Sequence, residues 1–135
     1  MSNIDTVKEV YAAYARGDMP GILACLAEDV EWENGGGGTD VPWLQPRSGH
    51  AGVVGFFEAV GLLQVNDFRP KWYFEREPLV IVLVDEDVTV KATGRRIREL
   101  DQVHLWTFDQ RGKVVRHRQR VDTHGNWAAY HGCAA

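Results

Sequence analysis

The sequence predicts an α+β fold with an antiparallel sheet, and three observations carry that prediction. Apolar residues recur at three-and-four spacing through residue 63, as in amphipathic helices. From residue 79 onward they run or alternate as in strands. The two long alternating segments near the C-terminal end are joined by DQRGK, whose glycine suits a hairpin turn. Helices first and strands after argue against a doubly wound parallel sheet.

The elements follow in order. Ile4, Val7, Val10, Tyr11 and Tyr14 form the apolar stripe of a first helix, with Ser2 and Asp5 as a capping box and Gly17 as its stop. A short second helix begins near Pro20, after Asp18 as cap, and turns Ile22, Cys25 and Leu26 inward. Val30 to Glu33 read as a short strand. A third helix is predicted over 50–63, with Val53, Phe56, Phe57 and Val60 buried, and Gly52 and Gly55 hinting at close packing. The run LVIVLV (79–84) reads as a strand buried on both faces. VTVKAT (88–93), IRELDQVHLWTF and KVVRHRQRVDT follow as alternating strands, and Pro70 and Pro78 mark strand starts or edges.

Composition bounds the function. The chain has 135 residues, 44% hydrophobic and 25% charged, as expected of one globular domain spanning 1–135. A net charge of -4 lacks the basic footprint of a nucleic-acid binder. No apolar run reaches the roughly 18 residues of a membrane span, and MSNIDTVKEV shows no signal-peptide pattern. Cys25 and Cys133 are spaced for neither a disulfide framework nor a zinc knuckle, so a cytoplasmic location is expected.

The stretch VEWENGGGGTDVPW (30–43) has three readings: a phosphate cradle, a linker, or a rim around a pocket. It follows a strand without separating two cores, and GGGGTD has neither P-loop chemistry nor GxGxxG spacing. A rim loop remains, with Gly36 and Gly37 expected to let it close on a ligand.

The order of motifs is similar to a known pattern. VYAAYARGD with PGILACLAEDVEWEN, then VPWLQPRSGHAGVVGFF, ATGRR, and HLWTF followed by GKVVRHRQRVDT span nearly the whole chain. In that order they resemble the SnoaL-like and ketosteroid-isomerase-like proteins of the nuclear-transport-factor-2-like superfamily. The resemblance implies a cone-shaped curved antiparallel sheet wrapped around three N-terminal helices, with a single pocket at one end. It also implies a homodimer through the outer sheet face and, in many members, chemistry without a cofactor. Isomerases, polyketide cyclases, epoxide hydrolases, dehydratases and non-catalytic binders share this fold, so the fold alone selects no reaction.

The resemblance nominates Asp122 and His104 as catalytic residues. Asp122 ends VRHRQRVD, where SnoaL-like proteins place an acidic proton-transfer group, and an apolar pocket raises a carboxylate toward general-base range. A strand-end Asp equally caps the turn at Thr123 to Gly125. Strand alternation sets Asp122 with Arg120, Arg118 and Arg116, opposite Val121, Gln119 and His117. In the isomerase register the second set faces inward and His117 gains the role. His104 falls near the position of the isomerases' protonated acid, where a neutral imidazole can donate to an oxyanion; ketosteroid isomerase is the standing example of that arrangement. A core histidine satisfied across the strands is the other reading.

Trp32, Asn34, Tyr14, Trp106, His117 and Arg118 are the candidate substrate-binding residues. Asn34 stands where the isomerases keep their base, and Val10 where they keep a tyrosine, both departures from that chemistry. Arg98 and Asp101 fall three apart in RELD, which disfavours the epoxide hydrolases' Arg and Asp two apart. His124, His131 and Cys133 make too thin a set to expect a metal. Two readings result: a cofactor-independent isomerase, cyclase or lyase moving a proton on a small hydrophobic carbonyl compound, or a binder of a small hydrophobic molecule. An Asp122 facing solvent decides between these two readings in favour of the binder.

Overall fold

A computed structural model describes residues 1–35 and 38–133 of the chain. Gly36 and Gly37, and with them the expected closure of the rim loop, lie outside the described residues.

The N-terminal helices form, but the second stops short of Cys25 and Leu26, the latter opening a strand, and the third ends at Val60 with Phe57 and Val60 only partly buried. Helix α1 (Asn3–Ala15) starts on the Ser2/Asp5 capping box and buries Val7, Val10 and Ala13. Asp18 accepts the Gly21 N–H and caps α2 (Met19–Ala24). Strand β1 is longer than expected, Leu26–Asn34, and a 3₁₀ turn (Pro42–Leu44) leads through the two-residue β2 (Arg47–Ser48) into α3 (Gly49–Val60). The glycines of α3 do admit close packing: a Cβ on Gly55 would lie 2.8 Å from Arg47 Nη1.

The sheet contains β3 (Leu63–Arg76), β4 (Leu79–Val90), β5 (Arg96–Phe108) and β6 (Val114–Arg120), in the order β2-β1-β6-β5-β4-β3. It is curved and unclosed, with β2 and β3 at its two edges. Register shifts in β3–β4 and β4–β5 bend it around the helices. One pairing departs from the antiparallel expectation: β1 runs parallel to β6. Pro70 lies inside β3, an edge strand, next to a register shift.

Two expectations are corrected. LVIVLV is not buried on both faces; Val80, Val82 and Val84 are fully buried while Ile81 and Leu83 are only half-buried on the outer face. The alternation was hidden because both faces carry aliphatic side chains. A fourth helix, α4 (Thr123–His131), follows β6 where the sequence indicates only a turn at Thr123 to Gly125. Its apolar stripe is short, and it is fixed instead from outside. Thr93 Oγ1 donates to the Ala129 carbonyl at 2.7 Å, and His131 meets Asp40 at 2.9 Å. Among the described residues, no helix is long and apolar enough to cross a membrane.

Candidate active site

The inner face of the sheet, α1, α3 and α4 enclose a cavity walled mainly by aromatic rings. Trp32, from β1, meets Trp106 of β5 edge-to-face at 5.8 Å, and His117 of β6 lies against both, at 4.3 and 3.8 Å between centroids. Phe56 and Phe57 from α3, with Phe68 from β3, complete the apolar wall. Trp43 and Asn126 close it beneath α4, the indole N–H donating to Asn126 Oδ1 at 2.8 Å. The cavity volume is about 70 Å³. An engineered cavity that takes benzene has roughly 150 Å³.

One hydrogen-bond chain crosses the cavity wall, and donor chemistry fixes its direction. The Trp106 indole only donates, and it donates to Tyr11 Oη at 3.1 Å. Gln102 Nε2 donates to Glu86 Oε2 at 2.7 Å and to Glu99 Oε1 at 3.3 Å, so Gln102 Oε1 faces His104 Nε2 at 2.6 Å. His104 must therefore carry its proton on Nε2. Its Nδ1 then accepts the Tyr11 hydroxyl at 2.8 Å. Every member is satisfied only with His104 neutral, and burial pushes its pKa down to about 3. Both imidazole nitrogens are thus engaged by protein, so the donor expected for a ligand oxyanion points at Gln102.

The carboxylate that faces this cavity is Glu86 of β4. Burial pushes its pKa up, and the charge of Glu99 adds to that, against the opposing effect of the Gln102 hydrogen bond. Tyr14 lines the same space, and burial followed by the charge of Glu86 raises its phenol. No hydrogen bond holds the Tyr14 hydroxyl among the described residues. A carboxylate with high proton affinity beside a free phenol is an arrangement that can take one proton and donate a hydrogen bond.

The other nominated residues divide. Trp32, Tyr14, His104, Trp106 and His117 all line the cavity. His117 is buried, its Nε2 is 3.1 Å from Gln119 Nε2, and burial, then neighbouring His104, holds its pKa well below the usual range. Asn34 is fully buried on β1 but is not part of the cavity wall; both ends of its amide lack a partner among the described residues, as does the Trp32 N–H. Arg118 points to the outer face, opposite Leu105. Asp122 is exposed and caps α4, its Oδ1 accepting the Gly125 N–H at 2.9 Å. The inward set is His117 and Gln119 of β6 with Val121 just after it, the register that the resemblance to the isomerases implies.

Glu86, Gln102 and Glu99 went unnoticed in the sequence, although a signal for the first existed. Glu86 has the same parity as Val80, Val82, Val84, Val88 and Val90, a lone charge in an inward stripe. DED, lying between two apolar runs, reads as a break between two strands, whereas β4 continues through it. Gln102 and Glu99 lie three apart and would fall on opposite faces of a regular strand. A bulge opposite Asp85, with Asp101 at φ 59°, turns both inward.

The comparisons agree with this architecture. Residues 7–117 match the SnoaL-like domain family. An NTF2-like protein of unknown function from Burkholderia pseudomallei K96243 is 33% identical over 92% of this chain and 94% of its own, with a TM-score of 0.79. An NTF2-like protein from Burkholderia xenovorans LB400 is 29% identical, covers 95% of both chains, and has a TM-score of 0.83. TerC, crystallised with polyporic acid, is 28% identical over 96% of this chain and 98% of its own, at a TM-score of 0.78. No curated protein matches the sequence. With the family's domain covering most of its length and the NTF2-like sheet built around its cavity, the chain belongs to the SnoaL-like domain family.

Proposed function

We propose that this protein is an isomerase- or cyclase-type enzyme that moves a proton on a small, largely apolar carbonyl compound, with Glu86 as the proton acceptor. The observation that carries the reading is a desolvated carboxylate facing an aromatic cavity. Glu86 takes a proton from the carbon next to the carbonyl, and the bonding pair moves onto the carbonyl oxygen as an enolate. The Tyr14 hydroxyl and the unpartnered Trp32 N–H are the donors available to that oxygen. Return of the proton to a different carbon completes an isomerisation and restores the carboxylate. In this reading His104 leaves the reacting set and holds the wall, while Asp122 leaves it altogether. The test is deuterium uptake from D₂O into a panel of small cyclic and aryl ketones. Uptake catalysed by the wild type and lost in Glu86→Gln supports the assignment; equal uptake by both sinks it.

The second reading, ligand binding without turnover, is favoured by a specific set of facts. Asp122 is exposed, Asn34 is an amide, and His104 has no free nitrogen. Saturable quenching of tryptophan fluorescence by the same ketones, without any deuterium uptake, selects it. Under either reading the ligand is a small molecule, as the co-crystallisation of TerC with polyporic acid supports, and the aromatic lining favours an apolar one. The proposal extends to a second copy of this chain on the outer sheet face, where Trp72 and Phe74 of edge strand β3 are 60% and 56% exposed. It also extends to a cytoplasmic site of action, which the free Cys25 and Cys133 suit.

A further inference from the structure

Glu86 is reached from two sides. It lines the inner cavity, and it also lines a notch on the outer surface together with Glu99. The two glutamates are directly opposed in the β4–β5 ladder, as the first pair past the bulge at Asp101. One nitrogen, Gln102 Nε2, donates to both, so a single amide clamps the two carboxyls against each other. On its far side Glu99 accepts the Asp122 backbone N–H at 2.9 Å. Resting on the proposed proton-transfer reading, we propose that Glu86 and Glu99 form a carboxylate pair that holds one proton between them, with Glu86 meeting the ligand and Glu99 leading the proton to solvent.

The surrounding charges leave the pair without a counter-ion. From β3, Asp67 and Arg69 face the notch and pair with each other at 2.6 Å. From β5, Arg98 turns to Asp87 at 3.5 Å, and Arg96 pairs with Asp87 as well. Asp85 of β4 is held by Lys71 at 2.8 Å. Tyr14 of α1 and Asp122 after β6 are the remaining titratable neighbours, and neither is a cation. Among the described residues no Lys, Arg or His forms an ion pair with either glutamate. Two carboxylates held together without a cation cannot both ionise freely, so one keeps a proton at higher pH than an isolated glutamate does. Both are shifted upward, each first by its own burial.

The step balances simply. Glu86 accepts a proton from the ligand carbon while the electron pair remains on the ligand as enolate. In the resting pair the shared proton sits on Glu99 when Glu86 is ionised. After Glu86 captures the ligand proton, Glu99 releases its own at the notch and then takes the proton from Glu86, directly or through one water molecule, which restores the singly protonated pair. Glu99 touches no ligand, so it is a positioning residue that sets the proton affinity of Glu86. Glu86 therefore exchanges its captured proton with solvent faster than its burial alone allows.

The test reads the pair in ligand-free protein by carboxyl ¹³C NMR titration of wild type, Glu99→Gln and Glu99→Asp. The expected result is a coupled, two-step titration in the wild type and a lower Glu86 midpoint in Glu99→Gln. Glu99→Asp should restore the higher midpoint, which a merely structural role for Glu99 would not require. A Glu86 midpoint that is the same in wild type and Glu99→Gln overturns the pair, even if Glu86-dependent ketone exchange is found. A coupled titration sustains the pair even if no ketone exchanges, in which case only the enzymatic reading falls.

Discussion

Tyr11 donates its hydroxyl proton to His104 Nδ1 at 2.8 Å and accepts the Trp106 indole N–H at 3.1 Å. One phenol thereby joins α1 to the sheet and fixes which imidazole nitrogen carries the proton. Tyr11→Phe removes both bonds and leaves two buried polar groups unsatisfied. The expected loss is about 2–4 kcal/mol, since each orphaned buried group costs roughly 1–3 kcal/mol. Urea denaturation at neutral pH measures it. A loss below about 0.5 kcal/mol would mean the chain of donors does not hold the wall.

The same chain predicts an acid-sensitive fold. His104 is neutral when folded, with its pKa near 3 against 6.5 for the free side chain, and His117 is displaced in the same direction. Between these values the unfolded chain binds a proton that the folded chain does not, so stability falls as pH drops below about 6.5. Each buried histidine contributes up to about 1.4 kcal/mol per pH unit in that window. Denaturation midpoints from pH 7 to pH 4 should show the slope, and His104→Gln should reduce it by one proton's worth. An unchanged slope in that variant would place the titrating group elsewhere.

The sequence made the scaffold legible because local chemistry decides it. Ser2 and Asp5, Asp18, and the Asp109 to Lys113 turn do what their residue types dictate. The aromatic wall was legible for the same reason: Trp32 and Trp106 follow strand parity. The acid was not. The positive φ of Asp101 inserts an extra residue into β5, and no residue type in RELDQ announces it. Once that bulge is known, Glu99 and Gln102 both turn inward and Glu86 gains its partners. Asp122 drew attention by its residue type and by resemblance, while its actual partner, the Gly125 N–H, belongs to a helix too weakly patterned to foresee.

Glu86 should be a site where activity and stability oppose each other. Its folded pKa is raised above the unfolded value, so the folded chain holds a proton that the unfolded chain releases first. Stability is therefore lost as pH rises through the folded pKa. Glu86→Gln escapes this, and its stability relative to wild type should grow between pH 4 and pH 8. Thermal midpoints of both proteins across that range provide the check. A stability difference that stays flat with pH would argue that Glu86 is solvated and unsuited to act as a base.

The outer face offers a further test. Trp72 and Phe74 project from an edge strand with most of their surface exposed, a pattern that association commonly covers. Sedimentation equilibrium at micromolar concentration should report a dimer, and Trp72→Glu should shift it to monomer without unfolding. A wild-type monomer under those conditions removes the second copy from the proposal.

Asp122 separates capping from catalysis through two substitutions. As the N-cap of α4 it needs only a side-chain acceptor for the Gly125 N–H, which asparagine supplies and alanine does not. Asp122→Ala should cost about 1 kcal/mol and raise amide exchange along α4, which covers the cavity through Asn126 and Trp43. Asp122→Asn should restore most of that protection. A base, by contrast, must ionise, so a catalytic Asp122 would make the asparagine variant as damaging to ketone exchange as the alanine one. Parallel hydrogen exchange and deuterium-uptake measurements on the two variants decide between the roles. Recovery of both signals in Asp122→Asn is the outcome expected of a cap.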